Sequence, residues 1–452
     1  MARPVAQRSR APRESMIRAT GVRKRLIEGI GPVAAISIAQ LFGTALWFSA
    51  NSTVGDLVKI WQISTADIGW LTSAVQLGFI LGTLIVSLSG AADRFRASRI
   101  FVCSAVVGAL FNLGFAWLST GLVSGALFRF GVGICLAGIY PMGMKLIIGW
   151  APNRTGQALA QLVGMLILGT ALPHAMRVLG MGLSWQLVIS ASSLLAVGGA
   201  GIIGALGDGP HSVVSTRSAS DKETPATSPP SVLSAFRVRR FRAATLGYFG
   251  HMWELYAFWT AVPLLLSHTS LTSAFPGLSV SAMSFGVIGI GALGSVLGGV
   301  LSRYLGSAKV AIGALAMSGL CGLVFALCWR HLAPETMAVL LLLWGASAPA
   351  DSPQFSALAA DACPRALVGS ALAIQNSIGF AITVVSIAAT TSLFEHIGLD
   401  AMWLLVPGPV LGLAAFAFTL RKADSSREPM QCTGSVDRPR STEACADGEQ
   451  EC

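Results

Sequence analysis

The sequence predicts an all-α integral membrane protein of twelve transmembrane helices in two six-helix, pseudo-symmetric halves. Three observations predict it. Of 452 residues, 53% are hydrophobic and only 12% charged, with a mean hydropathy of +0.67, against roughly 25% charged residues in an ordinary soluble domain. The apolar residues come in runs of about 20, the length that crosses a hydrocarbon core. Short motifs also recur at a nearly constant offset of 209 to 213 residues.

Taken in chain order, residues 1–29 form a basic tail, with eight basic residues before Leu26 and one acidic residue, Glu14. The formal net charge of +10 raises the question of nucleic acid, but no aromatics interleave with these cations to stack bases. An organelle transit peptide is one alternative. The reading adopted is a topology signal, because basic flanks are held on the cytoplasmic side.

Twelve apolar runs follow. The N-terminal half, 30–207, holds Ile30 to Thr53, Ile68 to Leu88, Ile100 to Leu118, Leu122 to Ile147, Gln157 to Met176 and Trp185 to Leu206. The C-terminal half, 242–421, holds Ala243 to Leu266, Ala282 to Leu301, Val310 to Trp329, Met337 to Leu358, Leu367 to Leu393 and Ala401 to Leu420. Between the halves, 208–241 is rich in Pro, Ser and Thr and reads as a cytoplasmic linker; 422–452 reads as a disordered cytoplasmic tail. With both termini inside, 27 of the 31 basic residues fall on the cytoplasmic side, Lys59, Arg177 and Arg330 fall outside, and Arg129 lies within a span. One missed or added helix would scramble that split.

Of the eight cysteines, Cys103, Cys135, Cys321 and Cys328 sit in apolar runs, and Cys363, Cys432, Cys445 and Cys452 in segments placed in the cytoplasm. Neither group suits a disulfide framework, and no CxxC spacing suggests zinc. No metal site is expected.

The halves carry matching landmarks. Gly90-Ala-Ala-Asp93-Arg94-Phe95 follows the second run and Gly299-Val-Leu-Ser302-Arg303-Tyr304 follows the eighth. Pro141 matches Pro353, Pro152 matches Pro364, and Gly156-Gln-Ala-Leu-Ala matches Gly369-Ser-Ala-Leu-Ala. Halves related by an axis along the membrane normal occur in one large transporter class. These motifs, with Arg129-Phe-Gly131-Val-Gly133 in the fourth run, resemble the major facilitator superfamily over roughly Leu26 to Lys422. The resemblance implies a cytoplasmic gating loop containing Gly90, Asp93 and Arg94, with Arg303 as its counterpart. Arg96, Ala97 and Ser98 replace the Gly and basic residues usual after that acidic position, and Ser302 replaces the acidic residue in the second copy.

An ionisable group inside a span costs at least about 2.5 to 3.5 kcal/mol on insertion scales and is a functional candidate by default. Arg129 lies about 12 Å from the outer end of its run. It is either a coupling or substrate-orienting cation or a structural Arg tied to neighbouring backbone. His251 and Glu254, three apart and so on one helix face, are the first candidates for proton coupling, with a mutually satisfied structural pair as the alternative. Asp351 lies between Pro349 and Pro353, at a helix break of the kind tolerated where it lines a cavity. Gln40, Asn51, Gln76, Gln375 and Asn376 are neutral cavity candidates, joined by Tyr256 and Trp259 beside the His251 face. Each could equally serve interhelical hydrogen bonding. Glycines at 131, 133, 138 and 143, and at 286, 289, 291, 294, 298 and 299, read as close-packing surfaces.

Direct ATP coupling is unsupported, because the chain has no GxxxxGK[ST] loop. An integral-membrane enzyme would need a nucleophile–base or metal constellation, and neither HExxH nor GxSxG is present. A transporter-fold sensor without flux is the other rival. The expected function is secondary transport of a small organic solute by alternating access, driven by a proton gradient without a cofactor, with an anion drawn by Arg129 as one form of substrate. The expected setting is a monomer, both termini cytoplasmic, in the bilayer of a bacterial plasma membrane, without nucleic acid.

Overall fold

The computed structural model describes residues 21–180, 183–212, 232–363 and 368–424. Most of the basic tail, of the linker and of the C-terminal tail lies outside these residues. Among the described residues every regular element is helical.

The N-terminal half contributes α1 (Pro32–Thr44), α2 (Thr65–Leu88), α3 (Ala97–Leu118), α4 (Leu122–Trp150), α5 (Thr155–Leu179) and α6 (Trp185–Leu206). The C-terminal half contributes α7 (Arg239–His268), α8 (Val280–Leu305), α9 (Ser307–Cys328), α10 (Pro334–Ser347), α11 (Ser352–Ala362), α12 (Val368–Ile397) and α13 (Pro407–Asp424). Eight helical stretches among the described residues are long and apolar enough to cross a membrane, or nine if the bent pair Arg23–Ile30 and Pro32–Thr44 is one span. α7 falls outside that number because His251, Glu254 and the Trp and Tyr residues in its middle lower the hydropathy. The stretch Ala371–Leu420 is taken as one, although the turns of Gly398–Leu405 divide it into α12 and α13.

The surface is inverted relative to a soluble protein. Leu110, Leu127, Leu194, Leu297 and Phe418 are all more than half exposed, while Arg129, Gln40, Asn112 and Asp351 are fully buried. Apolar side chains lie outward without penalty when lipid is the solvent, and polar groups turn inward to find one another.

Two predicted runs are broken. The first stops at Thr44 and continues through turns at 45–50 into Asn51–Thr53 and a short helix, Val54–Trp61. The tenth is split between α10 and α11 at 348–351. There the chemistry is proline's: Pro353 has no N–H to give the Pro349 carbonyl, and Ser295 Oγ of α8 donates to that carbonyl instead at 3.2 Å.

The glycines predicted as packing surfaces act that way in the corresponding helix pairs of the two halves, α2 with α4 and α8 with α10. A Cβ on Gly133 of α4 would overlap the Val75 carbonyl of α2, and one on Gly294 of α8 the Ala346 carbonyl of α10. Backbone-to-backbone approach of this kind is what small residues permit. Between the halves, α2 packs on α12 and α5 on α8.

Candidate substrate and coupling site

The N-terminal half buries the Arg129 guanidinium and engages both of its terminal nitrogens, leaving Nε buried without a partner. Arg129 Nη1 lies 3.0 Å from the Leu46 carbonyl, from Ser49 Oγ and from Asn112 Oδ1; Nη2 donates to the Trp47 carbonyl. Leu46 and Trp47 belong to the broken stretch after α1, whose carbonyls are released from helical bonding, and a guanidinium fork matches several such acceptors at once. Asn112 passes the network on, donating to the Ile189 carbonyl at 3.2 Å and Ser193 Oγ at 3.0 Å on α6. Among the described residues no carboxylate pairs with Arg129. Of the two readings open for Arg129, this geometry is that of the structural Arg tied to backbone.

The C-terminal half buries His251, Glu254 and Asp351 close together. His251 and Glu254 lie on α7 as their spacing predicts, each 1% exposed, but their partners are different. His251 Nδ1 is 2.7 Å from Asp351 Oδ1 at the α10–α11 break. The two side chains meet at hydrogen-bond distance, and the far imidazole nitrogen, His251 Nε2, is buried without a hydrogen-bond partner. Glu254 Oε1 accepts the Trp344 indole N–H at 2.7 Å, and Oε2 accepts from Ser318 Oγ at 2.8 Å. Asp351, whose run position suits an inner vestibule as well as a central site, is instead fully buried beside His251.

Where the halves meet, rings from both sides interlock. Trp47 stacks on Tyr256 at 5.7 Å and on Phe380 at 5.9 Å, Phe79 lies 4.4 Å from Phe380, and Phe48 meets Trp259 edge-on at 6.0 Å. The neutral candidates divide. Gln76 accepts the Trp47 indole N–H at 3.3 Å, so it reaches this cluster. Asn51 donates to Thr72 Oγ1 at 2.9 Å, a bond between neighbouring helices. Gln375 accepts from Thr245 at 3.0 Å. Gln40 is fully buried with both amide atoms unpaired, and Asn376 is half-buried.

The two ends of the bundle differ. At the N-terminus of α2, Ser64 and Asp67 form a reciprocal cap, and Glu395 of α12 accepts the Ala66 amide at 2.7 Å from the other half. Ser73 Oγ of α2 reaches the Val384 carbonyl at 3.5 Å farther along the same contact. At the opposite end, two clefts of about 310 and 350 Å³ flank the start of α5; one is lined by Ile30 to Ala34, and the other reaches Val296, Val300 and Arg303 of α8. The predicted gating loop lies at this end. Gly90 takes φ +63° between α2 and the short helix Ala91–Arg94, Arg94 and Arg303 are exposed, and Lys145 Nζ of α4 donates to the Ala92 carbonyl. The side chain of Asp93 lies outside the described residues.

Sequence reasoning missed Trp47, Phe48, Phe79 and Phe380, because an aromatic in an apolar run carries no mark of the face it occupies. Asn112 did carry a signal, as an amide deep in the third run.

Comparison with known proteins agrees with this architecture. A family model described as Major Facilitator Superfamily matches the chain twice, at residues 36–246 and 244–441. A relative described as Niacin transporter NiaP, from Acinetobacter baylyi (strain ATCC 33305 / BD413 / ADP1), is 32% identical over 96 residues, a stretch covering 21% of this chain and 21% of that protein. The matched stretch thus spans about a fifth of that relative's length. Two crystal structures of nucleoside transporter NupG, one of a mutant, superpose with TM-scores of 0.63 and 0.62 at 14% identity, covering 86% of this chain and 99% and 98% of theirs. That likeness is one of fold. With two family matches that together cover most of the chain, and a solved fold that covers most of it as well, the chain belongs to the Major Facilitator Superfamily.

Proposed function

We propose that the protein is a proton-coupled secondary transporter of a small organic solute, working by alternating access. The observation that carries this reading is the titratable cluster in the C-terminal half: a buried imidazole and carboxylate 2.7 Å apart at a helix break, with Glu254 one turn away on α7 and the imidazole Nε2 unpaired. An imidazole and two carboxyl groups clustered in a low-dielectric interior are suited to taking up and releasing a proton as the two halves move. Protonation of His251, Asp351 or Glu254 then biases which side of the bundle is open.

Twelve spans, six in each half, follow if the broken first and tenth runs each cross once and α7, α12 and α13 each cross separately. The positive-inside rule then places the Arg94 and Arg303 loops, both termini and the two clefts on the cytoplasmic side, in the plasma membrane of a bacterium. The Ala66–Glu395 end is then the sealed outer end, and the state described here is closed to the outside. The protein acts as a monomer, with no cofactor beyond the proton gradient. The resemblance to proteins described as niacin and nucleoside transporters favours transport over enzymatic chemistry.

The test is solute-evoked proton movement. Purified protein is sealed into liposomes with a pH-sensitive dye inside, and small organic anions, neutral metabolites and lipophilic cations are added in turn. A solute that moves protons through the native protein but not through Glu254→Gln or Asp351→Asn is the expected result. Solutes that cross at equal rates with and without a pH gradient would leave facilitated transport and remove the coupling. Absence of any flux, with binding retained, would favour a sensor.

A further inference from the structure

Six aromatic rings converge where the halves meet, three from each. Trp47, Phe48 and Phe79 come from the N-terminal half; Tyr256, Trp259 and Phe380 come from the C-terminal half. Trp47, Tyr256 and Phe380 form a triangle with centroid separations of 5.7, 5.9 and 5.3 Å, and the Trp47 plane is inclined to the other two by only 28° and 23°, so the rings meet as offset stacks across the interface. Any motion that parts the halves must part these rings. Once parted, each would expose a π-face to the opening, and that exposure is costly unless another flat surface replaces the lost partner.

The polar groups on the cluster's edge are donors with nothing to give to. Trp47 can only donate through its indole nitrogen, so the bond to Gln76 requires the Gln76 oxygen at that contact and leaves its NH₂ pointing elsewhere. That Nε2 is buried and unpaired, and so is the indole N–H of Trp259. Gln76 is 0% and Trp259 1% exposed. The cation that would suit a strongly anionic substrate is not free, because Arg129 is held by the carbonyls that position Trp47.

Resting on the transport reading above, we propose that the substrate is a flat, conjugated ring carrying hydrogen-bond acceptors on its edge. Its faces take the place of the inter-half ring stacks, and its acceptors take the N–H groups of Gln76 and Trp259. Arg129 is a positioning residue for this site: it fixes the broken stretch that carries Trp47 and Phe48 and does not touch the solute.

Matched pairs of probes test the shape requirement with the polar groups held constant: benzamide with cyclohexanecarboxamide, benzoate with cyclohexanecarboxylate, and uracil with dihydrouracil. Melting temperature and intrinsic tryptophan fluorescence of the detergent-purified protein are read at millimolar probe, since a ligand of the folded state raises the melting temperature by mass action. The expected result is that planar members stabilise and quench while their puckered partners do not. Phe380→Leu and Trp259→Phe should each weaken the planar probe's binding at least tenfold while the variants still elute as folded monomers. Equal stabilisation by puckered partners, or none by any planar probe, overturns the proposal. Proton-linked flux of puckered solutes alone would overturn it while the transport reading stood. Planar binding without flux of any solute would sink the transport reading and leave the ring site.

Discussion

The two halves share a plan and differ in how they treat buried charge. In the N-terminal half, Arg129 meets four acceptors on the broken first run and on α3. In the C-terminal half, His251 and Asp351 pair with each other at 2.7 Å, two titratable side chains in contact, with His251 Nε2 left unpaired. Both arrangements sit beside a helix break, after α1 in one half and between α10 and α11 in the other. The difference teaches that a break can serve opposite ends. One releases carbonyls that a cation then locks, giving a rigid support. The other places a carboxylate beside an imidazole in the interior, the arrangement on which the proposed proton coupling rests.

The largest expected effect tests the rigid side. Arg129→Met leaves the Leu46 and Trp47 carbonyls without a donor, at about 1 to 3 kcal/mol each, so a loss of about 2 to 6 kcal/mol is expected in denaturation of the purified protein. Arg129→Lys, with a charge but no planar fork, should recover less than half. A methionine variant as stable as the native protein would break the comparison, since Arg129 would then be no lock.

The reactive side should respond the other way. Asp351→Asn and Glu254→Gln keep shape and one acceptor, so stability should change by only about 1 kcal/mol, while gradient-driven accumulation falls at least tenfold. Counterflow exchange without a gradient should persist. Loss of both exchange and folding in these variants would make the C-terminal cluster another scaffold.

Gly133→Ala and Gly294→Ala probe what the halves share. Each methyl meets a carbonyl on the neighbouring helix, and overpacking of this kind typically costs about 1 to 3 kcal/mol. Similar losses of thermal stability are expected from both, and a tolerated substitution in one half alone would show that the helix contacts are not equivalent. The smallest effect belongs to Glu395→Gln. It replaces a charged acceptor at the start of α2 by a neutral one, worth less than about 1 kcal/mol. The readout is a shift toward states open at that end, seen as faster labelling of a single cysteine placed at Thr391 by a water-soluble thiol reagent.

Much of the architecture was readable along the chain. Run length and hydropathy located the helices, because lipid admits only segments that satisfy their own backbone. The glycines of α4 and α8 announced close approach, because nothing larger fits between two backbones. Intramembrane His251, Glu254, Asp351 and Arg129 stood out against an apolar background. Their pairing did not: the three-residue spacing of His251 and Glu254 places both on one face of α7, but that face meets two different neighbours. Asp351 reaches His251, and Trp344 and Ser318 reach Glu254.

The sequence by itself therefore determined a helical membrane protein with a repeated half and a short roster of buried polar residues, since solvent polarity and helix periodicity act locally along the chain. Tertiary structure alone decided that Arg129 is spent on carbonyls, that Asp351 belongs with His251, and that Trp47 and Phe79 face Tyr256 and Phe380 across the two halves. These outcomes depend on which helices are neighbours and how each is rotated. In a span that is apolar on every side, the hydrophobic pattern carries no record of that rotation.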